Sequence, residues 1–266
     1  MNTWRKAACL PPLAIYEMPP RVCVFVDGEN FRWSLVDLFE TFNKADYLPK
    51  AADWNALFEW LVDQATAATG IRSRTYWYVV ESVDFSPWGF PSPQQEPDKL
   101  FRVLTPYQKE LSALPSDDAK KTRMAEVVEE LNSRKSAMKK RFDGWTTMQN
   151  GIALRHDAVE FRRAGSIRYN LFDGSMGVEK AVDVKLSVDL ILLKDIYDVA
   201  VIVSGDQDYV PAVQAIKDCG KRVVNVAFRT RGGQLLPGGA RRLNVITDHC
   251  LEVSHGDLGR YLRLSA

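Results

Sequence analysis

Two aspartates directly follow a predicted buried strand in the C-terminal half of the chain. Residues 199–203 read VAVIV, and this continuously apolar, mostly β-branched run predicts a strand covered on both faces of a parallel sheet. Ser204 and Gly205 end the strand, and Asp206 and Asp208 come next, before helical spacing returns. In an open α/β sheet, ligands bind beyond the carboxyl ends of the strands. The two acids therefore fall where an α/β protein usually does its chemistry.

Another acid, Asp27, ends a second predicted strand near the start of the chain. Residues 21–28 read RVCVFVDG, and Glu29 and Asn30 follow at the expected start of a helix. Strands from opposite ends of the sequence thus bring carboxylates to one edge of one sheet. A group of acids without matching bases is unfavourable unless a cation neutralises it, and Mg²⁺ and Mn²⁺ bind through carboxylate oxygens. These residues indicate a site for a divalent cation.

The elements that must position these acids alternate between strand and helix. Residues 31–39 have helical spacing, and Asp53 is predicted to cap a second helix that ends near Gly70. Residues 74–80, rich in aromatic and β-branched side chains, predict the next strand. This alternation of strand and helix favours parallel pairing of the two strands, joined by a right-handed crossover.

The alternation of strands and helices stops after this strand. A proline-rich segment at residues 86–97 precedes charged, helical sequence over residues 99–149. We expect residues 83–150 to be a helical insertion on the sheet, without a sizeable core of its own. Beyond it, residues 158–163 and 166–172 predict two short strands joined as a hairpin.

Composition narrows the class of protein. The chain has 266 residues, 46% of them hydrophobic, and a net charge of +1, so it is globular and carries no overall basic field for nucleic acid. Its four cysteines lack metal-ligand spacing, which favours a reducing, cytoplasmic compartment. No apolar run approaches the length of a membrane span, and residues 1–20 are expected to form an N-terminal arm rather than a signal peptide.

Three motifs together resemble the NYN-domain ribonuclease family, a branch of the PIN-like nucleases. They are VDGENF at residues 26–31, EKAVDVKLSVDL at residues 179–190 and VSGDQDYVPAVQAIKDCGKRV at residues 203–223. The resemblance covers most of residues 21–253, with residues 83–150 outside the usual pattern. It implies an α/β fold, a three-layer α/β/α sandwich with a mostly parallel central sheet of PIN-like or Rossmann-like type. It also implies an acidic site for Mg²⁺ or Mn²⁺ at the carboxyl end of that sheet.

The resemblance assigns roles to particular residues. Asp27 corresponds to the acid of the first strand and Asn30 to the polar residue of the same motif. Asp183 corresponds to the acid that opens the middle helix, and Asp206 and Asp208 correspond to the paired acids after the central strand. All four acids are expected to be catalytic and to bind the metal.

Each acid also has a simpler interpretation. Asp206 and Asp208 fit a polar turn that caps a helix, and Asp183 fits an acid favoured by a helix dipole. Asn30 would equally serve as a helix cap. Asp189 is a minor candidate, expected to be solvated or locally paired.

Substrate-binding roles are predicted for Asn30, Lys180, Ser204 and Arg229. Lys180 holds the place of a basic residue in the motif, although Ala181 follows where glycine is common. Arg229 belongs to a candidate phosphate-binding rim, for which scattered, solvated charge is an equally good interpretation. The other rim candidates are Arg162, Arg163, Arg231, Arg241 and Arg242.

The predicted domain spans residues 21–256, followed by a C-terminal tail at 257–266. The favoured function is metal-dependent hydrolysis of phosphodiester bonds in RNA. One alternative is an RNA- or protein-binding regulatory module with little catalysis. Another is a structure-specific DNA nuclease. A partner protein or a second copy of the chain would bind through residues 99–149, and no membrane contact is expected.

Overall fold

The computed structural model describes residues 18–43, 46–236 and 241–264. These residues form a mixed α/β structure built on one mostly parallel, eight-stranded sheet. Residues 1–17, which make up most of the predicted N-terminal arm, lie outside the described residues.

The sheet brings the two predicted acid-bearing strands side by side at its centre. Its strands are β1 (Arg21–Asp27), β2 (Ile71–Ser86), β3 (Val159–Asn170), β4 (Met176–Lys180), β5 (Val199–Val203), β6 (Arg222–Arg229), β7 (Leu235–Leu236) and β8 (His249–Ser254). Their order is β4-β3-β2-β1-β5-β6-β7, and β8 also pairs with β6. The pairs β3–β4 and β6–β7 are antiparallel, whereas the other pairs are parallel. The parallel pairing of β1 with β2 is confirmed.

Helices connect the strands. They are α1 (Gly28–Leu38), α2 (Trp54–Thr66), α3 (Pro97–Val103), α4 (Gln108–Ser112), α5 (Asp117–Arg155), α6 (Val182–Leu192), α7 (Val210–Asp218), α8 (Arg241–Ile246) and α9 (His255–Leu262). As predicted, Asp53 caps α2, since its carboxylate accepts a hydrogen bond from the backbone N–H of Ala56.

The central strands are buried on both faces. Val24 and Val26 pack into one apolar cluster with side chains of α1, α2 and α9. Cys23 and Phe25 point to the opposite face, into a second cluster with side chains of α6 and α7. This alternation is the reason the strand sequence is apolar throughout, because neither face of the strand meets water.

The helices α3, α4 and α5, residues 97–155, form what we call the helical extension. Its apolar side chains belong to a third hydrophobic cluster, which it shares with the far end of the sheet. The cluster lies where β2 and β3, with 16 and 12 residues, run on together beyond β1. Phe85, near the end of β2, and Leu171, just after β3, are buried in this cluster with Leu100, Leu131 and Met138 of the helical extension.

The predicted hairpin at residues 158–172 is wrong. Residues 159–170 form the single strand β3, which pairs in parallel with β2 along its whole length. Gly165, whose residue type predicted the turn, lies within the strand and has a positive φ of 62°. A Cβ at this position would lie 1.8 Å from the carbonyl oxygen of Lys180, so glycine is required by the close approach of β4.

The predicted boundary after residue 256 falls inside α9. Leu258 and Leu262 of this helix are buried in the main core, beside α1 and α2. The last described residues are therefore packed against the sheet domain. Within the three described ranges, no helix has both the length and the apolar character needed to cross a bilayer.

Candidate active site

The four predicted acids, Asp27, Asp183, Asp206 and Asp208, line one cavity of about 630 Å³ at the carboxyl edge of the sheet. We call this cavity the acidic pocket. Its described lining contains seven carboxylates and no lysine or arginine; the other three acids are Glu29, Asp37 and Glu179. The acids come from segments distant in sequence, which the parallel sheet brings to the same edge.

Asp27 is the most buried of these acids, with 4% of its surface exposed. Its Oδ1 accepts a hydrogen bond from the backbone N–H of Asn30 at 3.1 Å, and thereby caps α1. Its Oδ2 accepts hydrogen bonds from Ser204 Oγ at 2.9 Å and from the Tyr209 hydroxyl at 3.0 Å. Burial raises the pKa of Asp27 to about 6, although these three donors oppose the shift; the nearby charge of Asp206 adds to it.

Asn30 and Ser204 join the end of β1 to the end of β5. The side-chain oxygen of Asn30 accepts a hydrogen bond from the Gly205 backbone N–H at 3.2 Å. Ser204 Oγ donates to Asp27 and accepts from the Asp206 backbone N–H at 3.1 Å. Both residues, predicted to bind substrate, thus hold two of the acids in a fixed relation.

Asp206, rather than Asp208, acts as the cap after β5. Its Oδ1 accepts a hydrogen bond from the Asp208 backbone N–H at 2.9 Å, at the start of a short 3₁₀ turn, Gln207–Tyr209, that leads into α7. Asp206 is half-buried and Asp208 is exposed, and both line the acidic pocket. Capping uses one oxygen of Asp206, so a second oxygen remains for another ligand.

Asp183 lies in the first turn of α6, where the helix dipole favours a negative charge. The preceding Ala181 has a φ of 71°, in the left-handed region that favours glycine. This backbone conformation explains why glycine is common at this position of the motif. Lys180, predicted to bind substrate, is exposed and does not line the acidic pocket.

Glu179 is an acid of the pocket that sequence reasoning missed. Burial raises the pKa of Glu179 to about 8, and the negative charges of Asp27, Glu29, Asp183 and Asp206 add to the shift, in that order. Glu179 belongs to the same motif as Asp183, so its type and position were visible. Its role was hidden because the strand β4, which carries it, was not predicted.

The predicted phosphate-binding rim is not assembled around the acidic pocket. Arg229 donates to the carboxylate of Glu252, and to the Gly233 carbonyl at 3.2 Å. Arg163 donates to Gln149 Oε1 at 3.1 Å, on the helical extension. Arg162, Arg163, Arg229, Arg231 and Arg242 are not among the described residues that line the pocket.

Asp189, the minor candidate, is locally paired and buried, with 3% of its surface exposed. Its Oδ2 accepts a hydrogen bond from the Tyr78 hydroxyl at 3.1 Å, and its Oδ1 pairs with Lys185 at 2.7 Å. The Arg162 guanidinium lies 3.8 Å from Oδ2. The acid is therefore neutralised by its neighbours and lies outside the acidic pocket.

The donor set of the pocket fits a hard cation by its chemistry. Carboxylate oxygens are the ligands that Mg²⁺ and Mn²⁺ prefer. Of the seven acids, Glu29 pairs with Arg32 at 3.4 Å, and the other six form no ion pair with any described lysine or arginine. No three described His, Cys, Asp or Glu side chains are arranged as a ready metal-ligand cluster. Capping hydrogen bonds direct one carboxylate oxygen each of Asp27 and Asp206 toward a backbone N–H group.

Comparison with protein families gives one match, over residues 114–236, to the NYN domain. The predicted NYN resemblance is confirmed over these residues. The match spans just under half of the chain and includes Asp183, Asp206 and Asp208, while Asp27 lies before it. It also includes residues 114–150, which were expected to lie outside the family pattern. NYN domains are generally nuclease-like and typically use divalent metals.

A solved structure and the curated proteins provide two further comparisons. The crystal structure of a protein of unknown function from Vibrio parahaemolyticus is similar over 89% of this chain and 94% of that chain, with 13% sequence identity and a TM-score of 0.42. Comparison with curated proteins gives no match.

Proposed function

We propose that this protein is a metal-dependent nuclease that hydrolyses phosphodiester bonds in RNA. The observation that carries the proposal is the convergence of Asp27, Asp183, Asp206 and Asp208 on one pocket at the carboxyl edge of a mostly parallel sheet. The match to the NYN domain supports the same class of activity. The three-layer, PIN-like arrangement implied by the motifs is part of this proposal.

The four aspartates would hold Mg²⁺ or Mn²⁺, and Glu179 lines the same pocket, where burial and the charges of neighbouring acids raise its pKa to about 8. When bound, such an ion lowers the pKa of water and places positive charge opposite the phosphate oxygens. The pocket needs this charge, because seven lining carboxylates would otherwise repel a phosphodiester.

The chain's own groups fix the position of the acids. Ser204 and Tyr209 hold one oxygen of Asp27, and the Asn30 backbone N–H holds the other. The Asn30 side chain anchors Gly205, and with it the backbone that leads into Asp206. Such preorganisation keeps the acids in place without reorganisation during the reaction.

The described lining of the pocket offers no activated serine, cysteine or histidine as a covalent nucleophile. Its described lining contains no cysteine or histidine, and the one hydroxyl there, Ser34 Oγ, donates to the Asn30 carbonyl at 2.9 Å. Ser34 therefore lacks an adjacent base in the arrangement that activates a serine. Direct attack by water is the chemistry that these residues favour.

We propose RNA rather than DNA as the substrate because of the family resemblance. Hydrolysis of a phosphodiester by water does not itself require the 2′-hydroxyl group, so the residues of the pocket do not discriminate between the two polymers. The test therefore includes both.

The test is cleavage of labelled single-stranded RNA, structured RNA and DNA with Mn²⁺, Mg²⁺ or EDTA. Asp206→Asn keeps the capping oxygen and removes one negative charge, so the fold is expected to survive. We expect its cleavage rate to fall by at least about a hundredfold, since even outer-shell partners of a metal contribute 10- to 100-fold. Asp195→Asn changes an exposed aspartate outside the pocket and is the matched control, with no expected change.

Cleavage that persists in Asp206→Asn would place the activity elsewhere. Metal binding without cleavage of any polymer would instead favour the regulatory-module alternative. Cleavage of DNA alone would establish the structure-specific DNA nuclease in place of the ribonuclease.

A further inference from the structure

A second cavity, of about 640 Å³, lies between the helical extension and the body of the protein. We call it the basic cleft. Lys50, Arg141 and Arg263 line it, and these three cations come from the loop before α2, from α5 and from the end of α9. Residues from widely separated parts of the chain therefore place positive charge around one concave surface.

The charge of the basic cleft is opposite to that of the acidic pocket. Asp46 is the one carboxylate in its described lining, and its Oδ2 accepts a hydrogen bond from the Asn43 backbone N–H at 3.1 Å. Lys50 and Arg263 are exposed to solvent. The Arg141 guanidinium lies over the ring of Trp145, 5.3 Å from the ring centroid. The described lining thus contains three cationic side chains and one acid, and Lys50 and Arg263 are the exposed cations.

The two cavities are separated by a narrow space. Tyr47 and Trp145 line both this space and the basic cleft, whereas Glu29 and Glu179 line both this space and the acidic pocket. The rings of Tyr47 and Trp145 are stacked, with centroids 4.9 Å apart and an interplanar angle of 9°. This aromatic pair lies between the positive and the negative cavity.

We propose that the basic cleft binds the phosphodiester backbone of a single-stranded nucleic acid next to the acidic pocket. The proposal rests on the proposed function, because a nuclease must hold the strand on either side of the bond that it cuts. Without a bound metal the acidic pocket does not attract the strand, since its described lining has no lysine or arginine. Lysine and arginine side chains supply it by neutralising phosphates and releasing counterions. A cleft of this size accommodates a few groups of a flexible strand rather than a double helix.

Binding is measured by fluorescence anisotropy in EDTA, with short labelled RNA and DNA single strands of one sequence. EDTA prevents metal-dependent cleavage, so binding is read without activity. The variant Lys50→Glu with Arg263→Glu reverses two exposed charges of the cleft. The matched control, Arg102→Glu with Lys109→Glu, reverses two exposed charges of the helical extension that do not line the cleft.

We expect the cleft variant to bind roughly tenfold more weakly or worse, and the control variant to bind like the wild type. The slope of log Kd against log salt should also become shallower by about 0.7 for each phosphate that the variant no longer neutralises. Weaker binding of either polymer in the cleft variant alone supports the proposal and shows which polymer the cleft takes.

Equal weakening in both variants would mean diffuse attraction and would overturn the proposal, as would unchanged binding in the cleft variant or no binding by the wild type. Failure of the proposed function has a different signature. In that case, no polymer is cleaved with metal, whereas binding still depends on Lys50 and Arg263.

Discussion

Two buried aspartates, Asp27 and Asp189, lie in opposite electrostatic surroundings. Their exposed fractions are almost equal, at 4% and 3%. Asp189 has Lys185 at 2.7 Å and Arg162 at 3.8 Å. Asp27 has hydrogen-bond donors that carry no charge, and it faces further carboxylates across the acidic pocket.

This difference separates a structural acid from a candidate functional one. A buried charge with cationic partners is compensated within the protein, and removing it leaves those partners unpaired. A buried charge among like charges is compensated only by something that binds. Burial alone would not distinguish Asp27 from Asp189; the partners do.

The largest expected effect concerns stability. Asp189→Asn should lower the free energy of unfolding by about 2–3 kcal/mol, because Lys185 loses its counter-charge and Arg162 retains only Glu160. This is less than the 3–5 kcal/mol typical of fully buried pairs, since the side chains of the partners remain 35% and 29% exposed.

Asp27→Asn should change the free energy of unfolding by less than about 1 kcal/mol. The amide retains hydrogen bonding and relieves the repulsion between Asp27 and the other acids of the pocket. Urea unfolding in EDTA at neutral pH measures the free energy of unfolding of both variants.

A larger loss of stability in Asp27→Asn than in Asp189→Asn would contradict the comparison. It would mean that the charge of Asp27 is stabilised by the hydrogen bonds from Ser204 and Tyr209 more than it is destabilised by its acidic neighbours.

A second prediction concerns added metal. Mn²⁺ should raise the melting temperature of the wild type and of Asp189→Asn, since binding to the folded state adds about 2.7 kcal/mol at a hundred times the Kd. The same addition should give a much smaller shift in Asp27→Asn. Differential scanning fluorimetry across a Mn²⁺ titration measures the shifts. Equal shifts in all three proteins would show that the metal binds away from Asp27.

The smallest effect concerns pH. The pKa of Glu179 is raised to about 8 from 4.5, so its carboxyl group binds a proton more tightly in the folded state. Its contribution to stability is therefore fully present below pH 4.5 and is lost as the pH rises through about 8. In EDTA, the wild type should lose stability as the pH rises from 4.5 to about 8, and Glu179→Gln should lose less stability over the same pH range.

Thermal unfolding at a series of pH values checks this, with Glu81→Gln, an exposed glutamate of β2, as the matched control. If the curves of Glu179→Gln and the wild type remain parallel, Glu179 does not experience the field of the other acids. The wild-type decline would then have another source.

The strands that lead to Asp27, Asp206 and Asp208 were predictable because their signals are local. The apolar runs of β1 and β5 predict strands, and the polar residues that follow mark their carboxyl ends. The single strand at residues 159–170 was not predictable, because glycine at position 165 is typical of a turn and predicted a hairpin. Its actual role depends on β4 passing close to its backbone, an approach that no local pattern encodes.

The sequence by itself determined the fold class, the NYN resemblance and the four aspartates that meet at one edge of the sheet. Parallel strands share the direction of their carboxyl ends, so Asp27, Asp206 and Asp208 converge without further information, whereas Asp183 was found through its motif. Tertiary structure decided that Glu179 joins them, that Asp189 and Arg229 are paired elsewhere, and that a basic cleft lies beside the pocket. Each of these outcomes depends on which side chains meet across the packed chain, and the period of a helix or strand fixes only the face on which a residue lies.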